Sequence, residues 1–266
     1  MDSDTTSMTD QSPRGVAVRT LESKRPGLRQ SLALALPLTH RSPLRWLALL
    51  GILIVGNLAN ALSWRFALPI DSGVFSIMLA LGLYVAPGWS EWRRSRIVAP
   101  NWRPHWKPTL LALGAGLALA LPSVIFFVIA SGHGGLGYGA IPSLSVPSLL
   151  LRELIEIPLL TAFVEELVFR QFLWRLFARK SLLASMMINA GIFTAWHLVV
   201  NARTLMASHL STSPLMDAGA YIGSLVTIFA AGIVFAWVRS RTGSFVYPAI
   251  AHWALLAIMT LAAWIL

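Results

Sequence analysis

The sequence contains no cysteine, which excludes disulfides, thiolate nucleophiles and thiolate metal sites outright. Charge is scarce as well. Only 12% of the 266 residues are Asp, Glu, Lys or Arg, about half the share carried by ordinary soluble domains, so a water-soluble globular chain is excluded. There are no roughly 10-residue segments of alternating polarity, which excludes an outer-membrane barrel. No repeat of 20 to 50 residues and no paired broken helices are visible, which argues against a solenoid and against the common secondary-transporter plan.

What is present is apolar sequence in long runs rich in Leu and Ala, several of them near the roughly 20 residues a helix needs to cross a hydrocarbon core. The fold class expected is therefore all-α, a polytopic transmembrane helix bundle. Seven spans are placed at 44–64, 69–89, 109–131, 148–170, 182–200, 219–238 and 245–266, within a range of six to eight. The polar stretch 1–40 reads as a disordered basic tail, 41–147 as N-terminal transmembrane helices and 148–266 as the catalytic domain. The tail is too polar at its start for a cleaved signal peptide.

The formal net charge of +10 does not point to nucleic acid, because the basic residues form no readable binding motif and little soluble surface would hold one. They gather instead on alternate connections: Arg14 to Arg45, Arg93 to Lys107, Arg175 to Lys180, and Arg239 with Arg241, against Arg65, Arg152 and Arg203 opposite. By the positive-inside rule the N-terminus is cytoplasmic and the C-terminus lies outside, as in a bacterial inner-membrane protein. The four Trp between Trp89 and Trp106, interleaved with Arg, suggest a segment lying along the headgroups.

Ionisable groups inside apolar sequence carry the functional signal, since each is costly there unless paired. Glu165, Glu166 and Arg170 occur in TAFVEELVFRQFLW, His197 in IFTAWHLVV and His252 in YPAIAHWALL. On a helix Glu166 and Arg170 are i and i+4 and close enough to pair, while Glu165 points about 100° away. One acid is thereby left to face a cavity as a general base for water. Two histidines from other helices are able to orient that water or stabilise an oxyanion, and the four groups together are alternatively a zinc ligand set. Trp196 and Trp253, each adjacent to one of these histidines, are candidates for pocket walls.

Depth offers a further expectation. At about 1.5 Å per residue, Glu165 and His252 lie roughly 15 and 12 Å from the cytoplasmic edge and His197 roughly 22 Å. Agreement then requires an interfacial elbow over 171–185 and a later start for the fifth span.

The segment EELVFR matches the EExxxR signature of the CAAX protease and bacteriocin-processing (CPBP, or Abi) family, and FTAWH, with Phe193 and His197, matches its FxxxH. The chain departs from the third motif, HxxxN: His252 is in place, but Leu256 stands where the Asn belongs. Asn201, on the same helical face as His197, and Asn189 are candidate substitutes. The resemblance spans about 148–260 and implies a bundle of eight or so helices that cleaves peptide bonds within or near the membrane. It implies Glu165 as water activator, Glu166 and Arg170 as its support, and His197 and His252 as orienting and oxyanion groups. The implied partners are the lipid bilayer and a membrane-associated or lipidated protein or peptide substrate. Members were long described as zinc enzymes, which would make Glu165, Glu166, His197 and His252 ligands. A metal-free glutamate mechanism suits this sequence better, because neither histidine belongs to an HExxH pair. Two other classes fit the same residues: a non-catalytic scaffold or bacteriocin-immunity protein of this fold, and a small-solute transporter.

Overall fold

The computed structural model describes residues 43–66, 105–131, 143–174, 177, 181–207 and 213–265. The expected tail, the second span at 69–89 and most of the Trp-rich segment lie outside the described residues. Every regular element among the described residues is helical. α1 is Pro43–Phe66 and α2 is Trp106–Ser131. α3 is the run 146–173, made of Val146–Leu151, Arg152–Ala162, Phe163–Glu166 and Leu167–Leu173. α4 is Leu182–Trp196, α5 Leu198–Ala207, α6 Pro214–Thr242 and α7 Val246–Ile265.

Among the described residues, three helices are long and apolar enough to cross a membrane, over Trp106–Ile125, Pro214–Thr242 and Val246–Ile265. A fourth crossing is available if α4 and α5, bent by 48° at their junction, form one span. Their outward faces are lined by Leu110, Leu117, Leu121, Leu183, Ile222 and Val226, all more than half exposed. Apolar surface on this scale is what lipid covers, since soluble monomers rarely leave large contiguous apolar patches in water. The chain is an integral membrane protein.

α3 is different in kind. It carries six ionisable residues, from Arg152 to Arg170, and its helix is π-wound over Arg152–Ala162 and again over Leu167–Leu173. Pro158 sits in the first π stretch, where a ring without an N–H cannot continue regular α bonding. The Phe163 N–H reaches the Pro158 carbonyl, five residues back. Between the two π stretches, one α-helical turn, Phe163–Glu166, holds both glutamates.

Helices approach closely where side chains are smallest, as lipid-embedded bundles require. A Cβ on Gly232 of α6 would lie 3.0 Å from the Cα of Ala190 on α4, and one on Gly116 of α2 would strike the Ala251 carbonyl of α7. Gly243, at φ 72°, ends α6 in the left-handed conformation that glycine adopts without strain and starts the reversal into α7. The core lies between α3, α4, α6 and α7 and contains Val164, Phe169, Leu173, Phe193, Trp196, Phe235 and Ala251.

α4 begins at Leu182, with Ser181 Oγ accepting from the Ala184 N–H at 3.2 Å. His197 lies beside Glu165, its Nε2 3.6 Å from Glu165 Oε2.

Candidate active site

Glu166 is fully buried, and its Oε1 accepts from Arg170 Nη1 at 3.0 Å and pairs with His252 Nδ1 at 3.2 Å. Arg170, also fully buried, donates through Nη2 to the carbonyl of Gly232 at 3.2 Å. Its guanidinium is ringed by aromatic faces, with Phe193 at 4.3 Å, Phe235 at 5.4 Å and Phe169 at 5.7 Å. A cation buried this deeply is tolerable only when paired, hydrogen-bonded and offered π-faces, and Arg170 has all three. The backbone is tied in as well, since Arg239 Nε donates to the Arg170 carbonyl at 2.9 Å.

Glu165, one helical step away, faces another partner. Its Oε2 lies 3.6 Å from His197 Nε2, beyond hydrogen-bond length, and has no hydrogen-bond partner among the described residues. Buried acceptors are seldom left so.

The tautomer of His197 follows from the end of α4. His197 has φ −88° and ψ 0°, so its N–H turns to the Thr194 carbonyl at 3.0 Å instead of Phe193. The freed Phe193 carbonyl lies 2.8 Å from His197 Nδ1. A carbonyl only accepts, so Nδ1 carries a proton, and Nε2 is the ring nitrogen turned toward Glu165, with a lone pair to offer when the ring is neutral. His252 is held by the Nδ1 contact with Glu166 and by stacking on Phe235, with ring centroids 4.9 Å apart. Phe193 joins both histidines, since its ring also lies 5.9 Å from that of His252.

The structure thus brings together Glu165, Glu166, Arg170, Phe193, His197 and His252. The remaining candidates bond elsewhere. Asn201 donates to Ser224 Oγ at 2.6 Å, and Asn189, fully buried, to the Phe169 carbonyl at 2.7 Å. Trp253 Nε1 donates to the Glu153 carbonyl at 2.8 Å, bracing α7 against α3, while Trp196 packs edge-on to Phe169. Among the described residues, no group of three or more His, Asp and Glu is placed to hold one metal ion.

One polar residue near the site went unmarked in the sequence. Asn57, on α1, hydrogen-bonds the backbone on both sides of His197, through the Ala195 carbonyl and the Val199 N–H. The signal available was GNLAN, with Asn57 and Asn60 in an otherwise apolar run, since buried amides in membrane helices tend to bond across helices.

Residues 147–258 match a sequence-family model described as type II CAAX prenyl endopeptidase Rce1-like. No curated protein and no solved structure matches the chain. The matched residues include both glutamates, Arg170, both histidines and Gly232, and the segment 147–258 is a domain of the Rce1-like group within the CPBP (CAAX protease) family.

Proposed function

We propose that the protein is a glutamate-dependent intramembrane endopeptidase that hydrolyses a peptide bond of a membrane-associated or lipidated protein. The observation that carries this reading is the pairing of Glu165, a buried carboxylate with an unpartnered oxygen, with the Nε2 lone pair of His197. Two acceptors 3.6 Å apart are suited to share one water, each taking one of its hydrogens. The water oxygen then presents a lone pair to the scissile carbonyl. Glu165 takes the proton as the C–O bond forms, and returns it to the leaving amine as the C–N bond breaks. His252, held through Nδ1 by Glu166, serves the oxyanion through Nε2 when that nitrogen carries a proton. Arg170 holds Glu166 in place beside His252. No step calls for a metal, and a cation at Glu166 would be repelled by the adjacent guanidinium.

In this reading the chain crosses the membrane seven times, the N-terminus is cytoplasmic, and the membrane is a bacterial inner membrane. The catalytic part is 148–266.

The test is cleavage of membrane-anchored candidate peptides by purified protein in lipid. Activity that survives a chelator and is lost in Glu165→Ala supports the glutamate mechanism, whereas loss with chelator favours zinc. Leu256, where the family places Asn, favours a second reading, a non-catalytic scaffold of the same fold. That reading replaces the first if no peptide is cleaved and Glu165→Ala preserves the cellular phenotype.

A further inference from the structure

The helix that delivers His197 is broken beside the imidazole, and the break has an identifiable cause. In an unbroken helix the Val199 N–H would bond the Ala195 carbonyl, four residues back. Here the carboxamide of Asn57 stands between them. Its Nδ2 donates to the Ala195 carbonyl at 3.0 Å, and its Oδ1 accepts from the Val199 N–H at 3.2 Å. Asn57 is steadied by a second donation, to the Leu53 carbonyl of its own helix at 3.0 Å. A side chain inserted into the i to i−4 ladder is one of the recognised causes of a sharp kink, and α4 and α5 meet here at 48°. The neighbouring residue permits the approach: a Cβ on Gly56 would collide with the indole of Trp196, so glycine lets α1 lie against the break.

The consequence reaches the chemistry through the backbone. Because the ladder is interrupted, the His197 N–H bonds Thr194 and leaves the Phe193 carbonyl to take Nδ1–H, which fixes Nε2 as the lone pair facing Glu165. We propose that Asn57 is a positioning residue that sets the tautomer and aim of His197 by wedging its amide into the α4–α5 junction. α1 is thereby part of the catalytic machinery although it lies outside the matched residues 147–258. The catalytic consequence rests on the endopeptidase reading above; the positional claim does not.

The test uses the full-length protein in lipid, labelled with 15N-histidine, in wild type, Asn57→Leu, Asn57→Asp and Asn60→Leu. Asn60 lies on the same helix, is buried and donates to the Gly56 carbonyl within it, so Asn60→Leu controls for general loosening of α1. The His197 resonances are identified by their loss in His197→Gln. Wild type and Asn60→Leu should show Nδ1 protonated and Nε2 bare. Asn57→Leu should lose that preference, and Asn57→Asp, which keeps the acceptor for Val199 but not the donor, should lose it in part. If Asn57→Leu fails to fold, Asn57→Asp decides. With a cleaved peptide in hand, kcat of Asn57→Leu should fall by about ten-fold or more, with KM within about two-fold, as for a group acting only on the transition state. An unchanged imidazole signature in the folded Asn57 variants overturns the proposal, as does an equal change in Asn60→Leu or a shifted signature with unchanged kcat. If wild type cleaves nothing, the endopeptidase reading fails while the imidazole signature still decides the positioning.

Discussion

Two adjacent glutamates in one helical turn have unlike surroundings, and their substitution should separate chemistry from stability. Glu165 sits beside a histidine with one oxygen unpartnered, so Glu165→Gln removes a base without stranding a charge. Cleavage is expected to fall by about 100-fold or more, in the range of general-base catalysis, with the unfolding midpoint in detergent little moved. Glu166→Gln has the opposite signature. It removes the carboxylate paired with the fully buried guanidinium of Arg170, and breaking a buried pair costs about 3–5 kcal/mol. Thermal unfolding of the two variants side by side distinguishes these effects, and an equal loss of stability would refute the division of roles. Arg170→Lys should also destabilise, by about 1–3 kcal/mol, because an ammonium cannot serve Glu166 and the Gly232 carbonyl while stacking on Phe193.

At the scale of helices, the site depends on how closely α4 and α6 approach. Gly232 supplies both the gap and the carbonyl that Arg170 uses, and an added methyl would press on Ala190 at 3.0 to 3.1 Å. Gly232→Ala should therefore cost about 1–3 kcal/mol as an overpacking mutation. Gly191→Ala, on α4 with nothing within 4 Å of the new Cβ, should be neutral or stabilising. Equal unfolding midpoints would show that the approach is not tight. The same comparison shows why parts of the molecule were legible in the sequence and parts were not. The Glu166–Arg170 pair could be read directly, because i and i+4 on one helix are neighbours whatever surrounds them. Bringing His197 and His252 to those acids followed from the cost of burying each alone. The kink at His197 was not readable, since its cause, Asn57, lies 138 residues from Ala195 and acts only once α1 is packed. The π-wound stretches of α3 were equally hidden, although Pro158 marked where regular bonding had to fail.

Across the whole molecule, topology decides which leaflet the carboxylates face, and the lack of any native cysteine makes it directly measurable. α6 is long enough to cross, and its ends carry opposite signals: Asp217 in the first turn, Arg239 and Arg241 in the last. Lys and Arg collect on the cytoplasmic side, so the Arg241 end should be inside and the Met216 end outside. Both positions are exposed, so a single cysteine at either should react with a maleimide without disturbing packing. In intact cells a membrane-impermeant maleimide should label Met216→Cys and spare Arg241→Cys, and in inverted vesicles the pattern should reverse. The site lies nearer the Arg241 end, since Arg170 is bonded to Gly232 and Arg239, in the second half of α6. The predicted labelling would therefore put Glu165 in the cytoplasmic half of the membrane, within reach of substrates anchored to the inner leaflet. The inverse labelling would turn the site toward the outer leaflet and exclude every substrate lipidated only in the cytoplasm.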